Sequence, residues 1–212
     1  MGVERLLEIV QEQGIQLMQR HLYLVFVSLF FAIIIAFPVG VMMTRPPFNR
    51  KLNQILSFLN TAQGVPSLAV IAIFLPIMGV GVRPAIFALT IYALLPIARN
   101  TMAAINALDP DVLEAAKGMG LSKKEILFKV EIPLAMPIIV AGIQTATIFT
   151  VGTATLAHLI GAGGLGRLIF TGISMNSPEF VLAGSLSAAA IAIILDQALG
   201  FFQRRVRRRF GG

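Results

Sequence analysis

Residues 22–44 read LYLVFVSLFFAIIIAFPVGVMMT, 23 consecutive positions without a charged side chain. An α-helix rises about 1.5 Å per residue and the hydrocarbon core of a bilayer is about 30 Å thick, so about 20 apolar residues cross it. The stretch reads as one clean membrane span. Outward from it, residues 52–82 between Lys51 and Arg83 form a second charge-free run, longer than one span needs, which Pro66 and Pro76 break or kink. A third run, 84–98, is short and extends past Arg99 into 100–105; a fourth begins after Glu131 and reaches toward Arg167, with the glycines of 161–166 interrupting it. A fifth, about 180–202, carries one acid, Asp196. The expectation is an all-α membrane protein with a five-helix transmembrane bundle over 22–203, an amphipathic segment at 1–21 and a basic tail at 204–212.

Composition agrees. Of the 212 residues, 57% are apolar and 13% charged, against roughly 45–50% and 25% in soluble domains. With a mean hydropathy of +0.85 the chain is neither a water-soluble globule nor disordered. It has no Cys, which removes disulfide frameworks, thiolate metal sites and Cys nucleophiles, and its two His, at 21 and 158, cannot build an all-His metal site. No metal site and no catalytic set is expected. A net charge of +7 would suit nucleic acid, but the basic residues lie between hydrophobic blocks, a membrane pattern, so no nucleic-acid partner is expected.

Lys and Arg favour the cytoplasmic side of short loops. With five spans, thirteen of the 17 basic residues (Arg45, Arg50, Lys51, Arg99, Lys117, Lys123, Lys124, Lys129, Arg204, Arg205, Arg207, Arg208 and Arg209) fall on one side, and Arg5, Arg20, Arg83 and Arg167 on the other. This places the N-terminus outside and the C-terminus inside. Glu4, Glu8 and Glu12 recur at helical spacing with no short apolar core before Leu22, so 1–21 reads as an outer amphipathic helix rather than a signal peptide, with Leu6, Leu7, Val10 and Leu17 toward the membrane surface. The arginines of 204–209, directly after a span, read as an anchor held by anionic lipid.

Residues 99–131 form the one long polar stretch, and loops of that length are usually functional. Asp109-Pro110 supplies an N-cap and a proline at the first helical position. Gly118 and Gly120 stop that helix, Ser122-Lys-Lys-Glu125 is a capping box that starts another, and Pro133 sits where it meets the membrane. The product is a helix–turn–helix on the cytoplasmic face, too small for a core of its own.

Glu114-Ala115-Ala116, then Gly120, then nine residues, then Val130-x-Ile132-Pro133 resembles the EAA loop of permease subunits of binding-protein-dependent ABC importers. Val130 and Ile132 depart mildly from that pattern and keep its apolar character. Gln63-Gly-Val-Pro66-Ser-Leu-Ala, Tyr92-Ala-Leu-Leu-Pro96-Ile-Ala-Arg-Asn-Thr101, Gly142-Ile-Gln-Thr-Ala-Thr147 and Ile160-Gly-Ala-Gly-Gly-Leu-Gly166 resemble the osmoprotectant (glycine betaine, carnitine, choline) branch. The resemblance implies a type I (MetI-like) permease fold in a bacterial inner membrane. It implies a soluble solute-binding protein outside, a second permease subunit, identical or a paralogue, and a cytoplasmic ATPase dimer that holds ATP and Mg. The chain has no G-x-x-x-x-G-K-[ST] phosphate loop, so no cofactor is expected in it. Glu114, Ala115, Ala116, Gly120 and Pro133 are then the coupling residues, received in a groove on the ATPase, and the mechanism is alternating access.

Inside the spans, Asn60, Gln63, Gln144, Thr147 and Thr150 are uncharged polar residues, candidates for a pathway that passes a solute of low net charge or, equally, for hydrogen bonds between helices. A quaternary amine would want aromatic faces; with no Trp and only Tyr23 and Tyr92, recognition is expected in the external receptor. Gly161, Gly163, Gly164 and Gly166 read as a tight turn or re-entrant segment at an outer gate, His158 as an interfacial residue, and Asp196 as the partner of a nearby cation. Competing readings are a methionine or other amino-acid importer, an ATP-independent channel subunit, and an intramembrane enzyme, the last lacking any Ser/His/Asp or paired-acid set in the spans.

Overall fold

The computed structural model describes residues 8–46 and 67–210, together with Glu4 and Gln54, and among them every regular element is helical. Four helices are long and apolar enough to cross a membrane: α1 (Val10–Met42), α3 (Val82–Asn106), α5 (Lys123–Ala154) and α7 (Pro178–Phe210). Between them lie the shorter apolar α2 (Ser67–Met78), α4 (Pro110–Gly118) and α6 (Gly166–Ser174). Of the long second run, α2 is the described part, interrupted at Phe74 next to Pro76. Asn60, Gln63 and Pro66 lie outside the described residues.

The boundary expected at 21/22 is not a break. Helix α1 runs continuously from a π-helical turn, Val10–Gly14, into Ile15–Met42. Val10 and Leu17 pack on the hydrophobic core instead of facing a membrane surface, and Ile9 is buried with them. Glu8 and Glu12 are exposed and mark only one face of this stretch; its other face is apolar enough to join the bundle. At the other terminus the arginines of 204–209 are not a separate tail but the last turns of α7.

Helix α1 packs on α3, α3 on α5, α5 on α7 and α7 on α6. In lipid there is little hydrophobic gain between apolar helices, so close approach through small residues must supply the cohesion. Ala32 and Ala36 of α1 and Ala85, Ala88 and Ala93 of α3 are buried in that seam. On the next interface a Cβ at Gly142 would stand 2.5 Å from Asn100 Cβ and 3.0 Å from the Pro96 carbonyl oxygen, so only glycine lets α5 sit this close to α3. Pro96 itself is buried inside α3, which continues through Arg99 to Asn106.

Candidate coupling site

Helix α4 starts because Asp109 accepts a hydrogen bond from the Asp111 backbone N–H at 2.9 Å and Pro110 presets the first helical φ. It ends at Gly118, after which Gly120 adopts φ +79°, a conformation that strains any residue with a Cβ. Ser122 then begins α5 with the expected capping box: its backbone N–H donates to Glu125 Oε2 at 3.0 Å, and its hydroxyl accepts from the Glu125 N–H. Glu125 lies ahead of the apolar run that starts at Ile132. The Lys129 ammonium, 2.8 Å away, and the Ser122 donors hold its carboxyl well below the usual range, at about 2.

Between the cap and the apolar run, Ile126–Glu131 is a π-helical turn. Pro133 follows it and has no N–H to close an α-turn on the Lys129 carbonyl, which favours the wider winding. Pro133 thus lies inside one continuous helix, Lys123–Ala154, so α4 and the long helix are joined only by the turn at 119–121. Glu131 is buried and ion-paired with Arg45, just past the end of α1. Arg45, Lys117, Lys123 and Lys124 rim a crevice of about 540 Å³ floored by Leu113 and Ile126.

Of the expected coupling residues, Glu114, Ala115 and Gly120 are exposed, whereas Ala116 is buried, on a helix that packs on the π-helical turn Ile126–Glu131. Exposed apolar surface is added by Val112 on α4, Met119 just past its end and Phe128 in the π-helical turn of α5. This is an anchored projection: one alanine seats the helix, and the neighbouring glutamate and alanine are left facing outward. The Arg45–Glu131 pair was missed from sequence, although the two charges flank apolar runs, one at an end and one at a start, and that placement was the available signal.

The glycine segment is at the opposite end. Ala154 is followed by a 3-10 turn, Leu156–Ile160, and Gly161, Gly163 and Gly164 all have positive φ near 80°. The segment folds back onto the bundle: Ile160, Ala162, Leu165 and Leu168 belong to the core, the Gly81 N–H donates to the Ile160 carbonyl at 2.7 Å, and Arg20 Nε donates to the Ala162 carbonyl at 3.2 Å. Gly164 rests on His21, which is fully buried, and Gly166 on the Thr155 backbone. His158 stacks on Phe170 with ring centroids 6.0 Å apart.

The described pathway residues are Gln144, Thr147 and Thr150. Thr147 and Thr150 are buried, each donating to the carbonyl four residues back, Ile143 at 2.8 Å and Ala146 at 2.7 Å. Gln144 Nε2 donates to Asp196 Oδ1 at 2.5 Å, tying α5 to α7, so Asp196 pairs with an amide where a cation was expected.

Sequence and fold comparisons agree on what this arrangement is. Residues 36–208 match the family described as binding-protein-dependent transport system inner membrane component. The chain is 41% identical over 207 residues to the glycine betaine/carnitine/choline transport system permease protein OpuCB of Bacillus subtilis, covering 96% of this chain and 94% of that one. It is 43% identical over 188 residues to the osmoprotectant import permease protein OsmY of Salmonella typhimurium, covering 89% and 80%. Among solved structures, an inward-facing MetNI methionine ABC transporter superposes with a TM-score of 0.81 at 26% identity, over 92% of this chain and 98% of that one. With its apolar helices and this match across most of its length, the chain belongs to the inner membrane components of binding-protein-dependent transport systems, a multi-pass membrane permease subunit and not itself an enzyme.

Proposed function

We propose that this chain is the pathway-forming subunit of an ATP-driven importer for compatible solutes such as glycine betaine, carnitine or choline. The observation that carries the reading is identity of 41% across nearly the whole chain to a permease named for those three solutes. In this reading a solute-binding protein delivers cargo outside, a second permease subunit completes the pathway, and a cytoplasmic ATPase pair holds ATP and its magnesium ion. The N-terminus lies outside and the C-terminus inside, consistent with the arginines at the end of α7. That orientation requires an odd number of crossings, which puts the termini on opposite sides.

The chain's own part in the cycle is mechanical. Exposed Glu114 and Ala115 on α4, with Gly120 setting the turn, enter a groove on the ATPase, while buried Ala116 holds α4 to the bundle. Because Lys123–Ala154 is one helix, a displacement at Ser122 reaches mid-membrane without crossing a flexible joint. The glycine segment over the far end of α1 acts as the outer gate, its turn glycines Gly161, Gly163 and Gly164 and close-packed Gly166 allowing it to lie flat on Arg20 and His21. Uptake of radiolabelled glycine betaine by proteoliposomes holding the full complex tests the proposal. ATP-dependent accumulation is expected; flux that persists without ATP would identify a channel instead, and uptake of methionine but not betaine would reassign the cargo.

A further inference from the structure

Arg99 was counted among loop charges in the sequence, yet it lies within α3, seven residues before the helix ends at Asn106. Its depth follows from its neighbour: Asn100 packs on Gly142 of α5, ten residues past Ile132 and twelve before Ala154. At about 1.5 Å per residue, that contact is about 15 Å from one end of the apolar helix and about 18 Å from the other. Arg99 is exposed on the surface of the chain, with no carboxylate in ion-pair range among the described residues. A guanidinium at this depth is not stable against lipid tails; such residues face a water-filled cavity or a protein partner.

The face it occupies is a groove of about 450 Å³ between α3 and α5. Arg99, Asn100, Pro96 and Met102 line it from α3, and Thr145 and Phe149 from α5. Phe149 is 62% exposed, its ring presented to the groove and not spent on the core. Two of the polar neighbours are already satisfied, Asn100 Nδ2 by the Pro96 carbonyl at 2.8 Å and the Thr145 hydroxyl by the Ala141 carbonyl at 3.0 Å. The groove therefore offers one mobile cation and one aromatic ring, on different helices. A guanidinium recognises a carboxylate, and an aromatic face recognises a quaternary ammonium.

We propose that the α3–α5 groove is a mid-membrane binding site for the zwitterionic form of the cargo, with Arg99 taking the carboxylate and Phe149 the quaternary ammonium, and the second permease subunit closing its open side. This rests on the compatible-solute reading and adds a selectivity to it. Glycine betaine and carnitine carry both groups, whereas choline has the cation and an alcohol, so Arg99 repels it with no carboxylate to compensate. The site favours carboxylated cargo over choline at the step after receptor release.

The test is uptake by the complete complex in proteoliposomes, with radiolabelled glycine betaine and choline at saturating receptor, alongside receptor-stimulated ATP hydrolysis. R99Q is expected to lower betaine uptake at least tenfold, leave choline uptake unchanged or raised, and keep ATP hydrolysis; R99K should retain part of the betaine uptake. F149A should lower both solutes and F149Y restore them. Ligand-detected NMR on the receptor-free permease–ATPase complex should show saturable betaine binding that R99Q abolishes. Betaine and choline uptake falling in the same proportion in R99Q, unchanged betaine uptake, or no betaine signal on the wild-type receptor-free complex would each overturn the site. A wild-type complex that binds and carries neither solute would instead overturn the compatible-solute reading beneath it.

Discussion

Replacing Arg45 by Met removes one partner of a buried ion pair and leaves the Glu131 carboxylate, whose side chain is 4% exposed, without its counter-charge. Breaking a fully buried pair in this way costs about 3–5 kcal/mol, whereas replacing both partners by apolar groups of similar volume is often neutral. Arg45 is 40% exposed, so water relieves part of the loss. We therefore expect about 2–3 kcal/mol for R45M, about thirty- to 150-fold in the ratio of folded to unfolded protein. The double variant R45M/E131L should recover most of it. The assay is a double-mutant cycle on unfolding of the purified permease in mixed detergent micelles, with R45M, E131L and the double variant side by side. A coupling of at least about 1.5 kcal/mol is expected for a pair in one network. Additive losses, or an R45M variant as stable as the wild type, would refute the reasoning, since both mean that Glu131 is not held by Arg45.

At Gly120, whose φ is +79°, alanine should cost about 1–2 kcal/mol locally and reduce uptake more than it reduces global stability, read by comparing transport with the unfolding midpoint. Glu114→Lys reverses an exposed charge on α4, so uptake and co-purification with the ATPase should fall while the permease unfolds at an unchanged midpoint. Gly142→Val places side-chain atoms where a Cβ already meets Asn100 Cβ at 2.5 Å; overpacking of this kind costs about 1–3 kcal/mol and should be seen as a lowered midpoint. The Glu125 carboxyl is lowered to about 2, so its contribution to the cap is complete above the ordinary carboxylate range and is lost only as the pH falls through about 2; carboxyl NMR of the permease in nanodiscs should show it still ionised at pH 4.

What could be read in the chain beforehand were features governed by neighbours in sequence. The caps at Asp109 and Ser122 depend on residues two or three positions away, and both formed as expected. The long apolar runs are likewise local, because the thickness of a bilayer converts length directly into a span. What escaped were features set by other helices. Residues 1–21 looked like a surface helix because their glutamates are visible in sequence, whereas the core that covers Val10 and Leu17 is not. Arg99 was sorted with the loop charges even though the third run extends past it; the contact between Gly142 and Asn100 puts it within the span. Gln144, Thr147 and Thr150 were equally good pathway or packing residues until their partners were known, and the partners are Asp196 and the helix's own backbone. The absence of Trp suggested that recognition lay elsewhere, yet an exposed phenylalanine beside an arginine supplies the same chemistry.

The arrangement also explains why one helix can serve both halves of the proposed cycle. Helix α5 carries the Ser122 cap and the Glu131 anchor at one end, the Gly142 contact and the Asp196 tie in the middle, and Phe149 beyond them. From Ser122 to Phe149 is 27 residues, about 40 Å of continuous helix. A push on α4 therefore tilts or turns α5 as a body, and its effect grows with distance from the Glu131 anchor. Arg99 sits on α3 beside Asn100, which meets α5 at Gly142. The two walls of the groove are thus carried by different helices that meet at Gly142. In the proposed cycle a site so placed would grip its solute when α5 lies against α3 and release it when α5 swings away, the behaviour required of a pathway driven by a separate ATPase.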